Sequence, residues 1–463
     1  MTTVIHNAAI VTVDDRDTVH YDGAIAIEGD RIAAIGSSAD LLARYPAAER
    51  LDGRGKMVMP GFANVHTHLT MTLARGVFED LSPPHRPPFS GGLSPIPLPD
   101  MTPDERRVMA QLGALEAMRS GTTLALEDSN DVDHYAGALA GTGLRWLLSE
   151  RAYDRVGTSI GDPAPYRLDR ALGQKHLRII EDTFHKWNGK ADGRIRIAAS
   201  AWAPDMCSPE LLADLRALQQ RLDTWATIHL NQIWGEVAAV KAHRNRLPTE
   251  YLADLGFLHD RLICAHCRCM EPGEEKLLGA AGVTVAFNAA IAARRGLSPR
   301  IADLEGHGCT IAMGSDNMAD DMVEVMRTGL FMERVRRGDG RQPTPEQALR
   351  WATRNGYRAL GVPDGGWLAA GNKADLIVVD LQRAHLVPVL RAAATFVHQG
   401  QARDVKSVMV DGRWLMRDGA VLTMDEPAVL AEAQRVANAA WSRQFRSRLD
   451  LKVPEGFSPD ALP

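Results

Sequence analysis

Two histidines separated by one residue, His66 and His68 in "PGFANVHTHLT", follow an apolar run closed by Pro-Gly. Alternate side chains of an extended strand project to the same side, so this pair presents two imidazoles to one point. That is a geometry for gripping a metal ion, although an isolated pair at this spacing is weakly specific. Further donors stand at the ends of later apolar runs. His229 closes "TWATIH", His266 closes "LICAH", and Asp316 follows "TIAMGS". Singly, each reads as a hydrogen-bonded core histidine or a helix-capping aspartate. Together, at corresponding places in a series, they read as one site. Imidazoles with a carboxylate suit a divalent zinc, iron, manganese or cobalt ion, and spacing does not choose among them.

The elements that must position these groups lie in the long middle of the chain, 59–368. Strand-like runs ("TLALED", "RIRIAASAW", "TWATIHL", "RLICAHC", "VTVAFN", "CTIAMGSD") alternate with amphipathic helical stretches. "TPDERRVMAQLGALEAMRSG" is one such helix, with a Thr cap, an acidic first turn and a closing Gly. Alternating β and α elements imply parallel strands, in a (β/α)8 barrel or a doubly wound sheet. The two ends differ. Segments 1–58 and 369–424 carry short strands around Gly-Asp and Asp-Gly turns, which predicts one small β-sandwich built from both termini. Residues 425–463 read as a terminal helix and tail. The Pro- and Gly-rich stretch 79–101 reads as a lid over the site, with His85 placed to touch substrate.

Composition narrows the function. The 463 residues carry a net charge of −5, without the basic excess of a nucleic-acid binder. Five cysteines, an odd number, are poor material for a disulfide framework and favour a reducing, cytoplasmic setting. No secretory signal or membrane-length apolar run is visible. "CAHCRC" lacks the second CxxC of a zinc knuckle, so Cys264, Cys267 and Cys269 read as buried thiols.

"MPGFANVHTH", His229, "AHC" at 265–267, "GSD" at 314–316 and "AGNKADLIVVD" at 370–380 together resemble the amidohydrolase superfamily, nearest its cytosine-deaminase and chlorohydrolase-like branch. The resemblance covers nearly the whole chain. It implies a (β/α)8 barrel with a terminal β-sandwich and one divalent metal per subunit, zinc first. His66, His68, His229 and Asp316 would be the ligands. His266 would contact the water or the substrate, and Asp316 would accept a proton from water whose pKa the metal lowers to about 7. The resemblance also implies a homo-oligomer acting on a small molecule.

Departures from the family pattern sharpen the reading. In the deaminase branch a Glu follows the fifth-strand histidine by three residues and passes a proton to a ring nitrogen. Here that position is Gln232, which cannot titrate near neutral pH. Trp202 replaces the histidine of a "HAPY" run, and Phe287 precedes Asn288 where the family often has histidine. Two aromatics imply a drier pocket for an uncharged substrate. Asn288, Gln232 and Asn317 become polar substrate contacts. The pattern is similar to the phenylurea hydrolase and molinate hydrolase group. The leading expectation is therefore hydrolysis of a neutral urea, carbamate or thiocarbamate, above all an N-aryl urea. The alternatives are an aminohydrolase of a triazine, purine or pyrimidine, and a non-catalytic barrel homologue.

Overall fold

The computed structural model describes residues 2–78 and 96–458. Its centre is a ring of eight parallel strands: β1 (Phe62–Thr67), β2 (Thr122–Ser129), β3 (Arg145–Ala152), β4 (Ile195–Ala201), β5 (Ala226–Leu230), β6 (Leu262–His266), β7 (Thr284–Phe287) and β8 (Thr310–Met313). They pair in chain order, with helices in the connections. The ring closes through a parallel bridge between Thr67 and Asp316. There the His68 N–H donates to the Asp316 carbonyl at 2.7 Å, and the Asp316 N–H donates to the His66 carbonyl at 2.9 Å. The barrel, not the doubly wound sheet, is therefore the architecture, and three of the candidate ligands form its closing seam.

Period-2 alternation builds two apolar layers. Ala63, Val65, Leu126, Leu147, Ala198, Ile263, Ala265, Ala286 and Ala312 fill the barrel interior with Tyr357 and Leu360. Trp146, Leu148, Ile197, Ile228, Val285 and Phe287 face the surrounding helices. The helix expected from "TPDERRVMAQ" is present as Pro103–Ser120. Thr102 and Glu105 form its reciprocal capping box, and Gly121 ends it with φ 97°. The strand β3 was not among the sequence-predicted runs. Its ends carry Arg145, Glu150 and Arg151, which mask the apolar centre "WLL".

Both chain ends form one nine-stranded sheet. The N-terminal part meets the C-terminal part where Lys56–Pro60 pairs antiparallel with Leu376–Asp380, Leu376 opposite Pro60. Its inner surface packs Ile10, Ile25, Ile27, Val58, Leu376 and Met409 together. The expected turns are in place, with Asp411 and Gly412 both at positive φ between Val405–Val410 and Arg413–Arg417. Buried Arg145 at the start of β3 pairs with Asp375 at 2.6 Å and with Asp411, tying the barrel to this sheet. The terminal helix runs Glu426–Ser447, and its Trp441 Nε1 donates to the Leu73 carbonyl at 2.7 Å, just past His68. Among the described residues, no helix is long and apolar enough to cross a membrane.

Candidate active site

The five chemistry-bearing residues converge at the C-terminal mouth of the barrel, where such folds place their sites. The His66 ring centroid lies 4.5 Å from that of His68, 4.9 Å from His229 and 5.3 Å from His266. Asp316 Oδ1 is 3.4 Å from His68 Nε2 and 3.9 Å from His66 Nε2, and Oδ2 is 3.8 Å from His266 Nδ1. All five are nearly inaccessible to solvent.

Plain strand alternation does not deliver this convergence. The pairing of β1 with β2 slips between Asn64 and Thr67, and His68 lies beyond the strand. Ile263 and Ala265 point into the barrel, so alternation alone would send His266 outward. The chain instead leaves extended geometry at His266 (φ 80°) and again at Asp316 (φ 71°). These left-handed conformations in non-glycine residues cost about 1–3 kcal/mol each and concentrate at functional sites. Gly314 is required by close approach, because a Cβ there would stand 2.3 Å from Asn288 Oδ1 and 2.9 Å from the His66 carbonyl.

Hydrogen bonds engage the Nδ1 side of two imidazoles and turn their Nε2 atoms to the cluster. His68 Nδ1 lies 2.6 Å from the Asp128 carbonyl, and His229 Nδ1 lies 2.8 Å from the Trp202 carbonyl. The His229 Nδ1–H donates to that oxygen, leaving a lone pair on its Nε2. His68 Nδ1 also lies 2.7 Å from Arg151 Nη2, which itself donates to the same Asp128 carbonyl at 2.6 Å. The His68 and His229 Nε2 atoms face each other at 3.2 Å. Nitrogens held about 2.0–2.1 Å from a tetrahedral zinc stand roughly 3.3 Å apart, which matches. His66 Nε2 and both Asp316 carboxylate oxygens are buried without a hydrogen-bond partner. Such orphaned acceptors are costly unless something positive meets them, so the donor set fits a divalent cation.

Electrostatics agree. Burial, with the charge of Arg151, pushes His229 down to about 4, and burial carries His66, His68 and His266 well below the usual imidazole range. Neutral imidazoles are the ligating form. Burial raises Asp316 to about 6, against the opposing pull of Arg268, Arg295 and Arg151.

Three residues that sequence reasoning passed over belong to this site. Asp128, at the end of β2, completes a four-residue group with His66, His68 and His229 whose ligand atoms lie within 4.8 Å of one another, whereas Asp316 groups at that distance with His66 and His266. Its oxygens are already engaged. Oδ1 accepts from Ser149 at 2.8 Å and Ser200 at 2.7 Å, and Oδ2 accepts from Arg151 Nε at 2.8 Å. Burial alone would raise its pKa, but Arg151 and the neighbouring histidines hold it at about 2. Asp128 and Arg151 therefore act as orienters of His68. The third residue is Arg268, two positions after His266. "LALED" showed Asp128 at a strand end like the other donors, whereas "CAHCRC" drew attention to thiols and away from its arginine.

The substrate-contact residues separate. Asn288 Nδ2 donates to His266 Nδ1 at 3.1 Å, leaving the His266 Nε2–H buried and unpartnered. Gln232 Oε1 and Asn317 Oδ1 are likewise buried and unpartnered beside the cluster. Trp202 is half-buried and meets Tyr153 edge-on at 4.9 Å. Phe287 corrects the sequence expectation. Alternation after inward-facing Ala286 turns its ring outward, against Trp351 at 6.4 Å, so it is helix-layer core and not a pocket wall. Glu236 does not supply the missing carboxylate. Its two oxygens accept from the Asn231 and Gln232 N–H groups at 2.9 and 2.7 Å. His85 and most of the expected lid, 79–95, lie outside the described residues.

Comparison with known proteins decides the family, since the amidohydrolase family profile matches residues 57–415. The chain belongs to the amidohydrolase family. It is accordingly a metal-dependent amidohydrolase, an enzyme acting on carbon–nitrogen bonds other than peptide bonds. A short match to an imidazolonepropionase-like composite domain covers 23–48. A 5-methylthioadenosine/S-adenosylhomocysteine deaminase of Pelotomaculum thermopropionicum is 32% identical over 94% of this amidohydrolase and 98% of the relative. A 5'-deoxyadenosine deaminase of Methanothermobacter thermautotrophicus is 33% identical over 90% and 94%. In fold, the amidohydrolase is similar to a zinc-bound adenosine deaminase of Xanthomonas campestris, with TM-score 0.82 and 23% identity over 95% and 98% of the two chains. These relatives are deaminases, so they support the aminohydrolase alternative and lend nothing to the phenylurea hydrolase expectation.

Proposed function

We propose that the protein is an aminohydrolase that replaces the exocyclic amine of a nitrogen heterocycle by water, with adenine nucleosides as the first class to test. The observation that carries this reading is the near full-length similarity to deaminases of such nucleosides. In this reading His66, His68, His229 and Asp316 hold one zinc ion. That ion supplies a Lewis acid that lowers the pKa of a neighbouring water to about 7. Asp316 accepts the proton that the water gives up and returns it to the leaving amine. Asn288 fixes His266 so that the His266 Nε2–H donates into the pocket. Gln232 and Asn317 offer oxygens to substrate N–H groups, and Trp202 forms an aromatic wall.

One observation favours a second reading, hydrolysis of an N-aryl urea or carbamate. Gln232 cannot deliver the ring proton expected of a deaminase. The deciding experiment is a release assay with zinc-loaded enzyme. Ammonia from methylthioadenosine, adenosine or an aminotriazine supports the first reading. Arylamine from a phenylurea moves the conclusion to the second, and release from neither class refutes both.

A further inference from the structure

Arg268 is a buried cation with no carboxylate in contact with it among the described residues, Asp316 and Glu236 acting on it only from a distance. Only 8% of its surface is exposed, and Nη1 is buried without a hydrogen-bond partner. Among the described residues it makes no ion pair. Its one side-chain hydrogen bond among the described residues runs from Nε to the Gln232 carbonyl at 2.6 Å. By contrast, Arg151 on the other side of the cluster is matched by Asp128 at 2.8 Å. Arg268 also stands at a particular place. Its N–H donates to the Asn231 carbonyl at 3.2 Å, so it is wedged between the tips of β5 and β6, between Gln232 and His266. A guanidinium taken out of water without a counter-charge is expensive, and Arg cannot shed its proton. The natural counter-charge is one that arrives with the substrate or arises during the reaction.

We propose that Arg268 is a substrate-contacting residue whose Nη1 stabilises the negative charge that develops on the heterocycle during hydrolysis, in place of the acid that Gln232 is not. The inference rests on the aminohydrolase reading. As the water oxygen bonds to the amine-bearing ring carbon, the C=N electron pair moves onto the ring nitrogen. The proton lost from water is kept for the amine. A carboxylic acid at position 232 would neutralise that nitrogen by transfer. Arg268 instead holds it as an anion by charge and hydrogen bond. The pair then returns to the C=N bond as the C–N bond to the amine breaks, and the amine leaves with the kept proton as ammonia. Atoms and charge balance without any further reactant.

The test compares wild type, Arg268→Gln and Arg268→Lys, all zinc-loaded, with metal content and melting temperature as folding controls. Steady-state ammonia release from methylthioadenosine separates kcat from KM. Arg268→Gln should lower kcat by about 100-fold with KM changed less than about threefold, and Arg268→Lys should retain more of the rate. A loss confined to KM would mean recognition of a permanent anion and would overturn the proposal, as would a kcat within about threefold of wild type. Both outcomes leave the aminohydrolase reading intact, because wild type still releases ammonia. If wild type releases none, that reading fails and the proposal is overturned with it, an outcome told apart from the other two by the wild-type control alone.

Discussion

Replacing Glu236 by Gln separates a structural carboxylate from a catalytic one. Glu236 is the acid nearest in sequence to the position where the family pattern has its proton carrier, yet its oxygens serve the Asn231 and Gln232 backbone N–H groups at 2.9 and 2.7 Å. Burial, with nearby Asp205, raises its pKa well above the usual carboxyl range, while those same two donors pull it down. A carboxyl can accept at both oxygens. A carboxamide accepts at one and turns an NH2 toward the other donor. One backbone N–H in a fully buried turn is thus left facing a donor, at a cost of about 2–3 kcal/mol. For a cooperative unit of this length, each kcal/mol lowers the melting temperature by about 1 °C, so the expected fall is about 2–3 °C by calorimetry on the metal-loaded enzyme. Because the turn directly follows β5, kcat should fall only a few-fold. A loss of about 100-fold in kcat with an unchanged melting temperature would refute this reasoning and return Glu236 to the chemistry.

Other perturbations have equally definite outcomes. His66→Asn and Asp316→Asn should each abolish turnover and lower zinc content by elemental analysis while preserving the circular dichroism spectrum; near wild-type rates in either would overturn the ligand assignment. Phe287→Ala should destabilise the fold by about 3–5 kcal/mol through a cavity against Trp351, with substrate preference unchanged, and a switch in preference would restore it as a pocket wall. Burial raises Glu150 to about 7, so its contribution to stability is complete below its unfolded pKa of about 4.5 and is lost as pH rises towards 7. The stability of wild type relative to Glu150→Gln, followed by urea unfolding, should therefore decline across that window and level off above it; a flat difference would count against the buried, raised carboxyl.

Legibility in the sequence followed the strength of the local signals. Apolar runs bounded by turn residues revealed seven barrel strands and the hairpins at both ends, because alternation and Asp-Gly turns are short-range properties. β3 escaped since its ends are charged, and those charges exist for tertiary reasons: Arg145 anchors the terminal sheet, and Arg151 braces Asp128. Phe287 was misassigned because its neighbour in sequence, Asn288, does face the site, and a strand reverses direction at each residue. Arg268 was invisible as chemistry because only the fold reveals that it is both buried and unpaired.

The site's geometry depends on backbone strain that ordinary strands avoid. His266 and Asp316 both adopt left-handed conformations, and His68 lies past the end of its strand. Relaxing either residue to extended backbone would recover about 1–3 kcal/mol but turn its side chain away from the cluster. What prevents relaxation is the closing seam, where Asp316 exchanges two backbone hydrogen bonds with His66 and His68. Asn64 reinforces it, its Nδ2 donating to Ser315 Oγ at 2.7 Å and its Oδ1 accepting from the Ser315 N–H at 3.0 Å. Barrel closure and ligand placement are thus the same set of bonds. A cation held by His66, His68 and Asp316, as proposed, would therefore also tighten the seam of the barrel and would couple metal affinity to global stability.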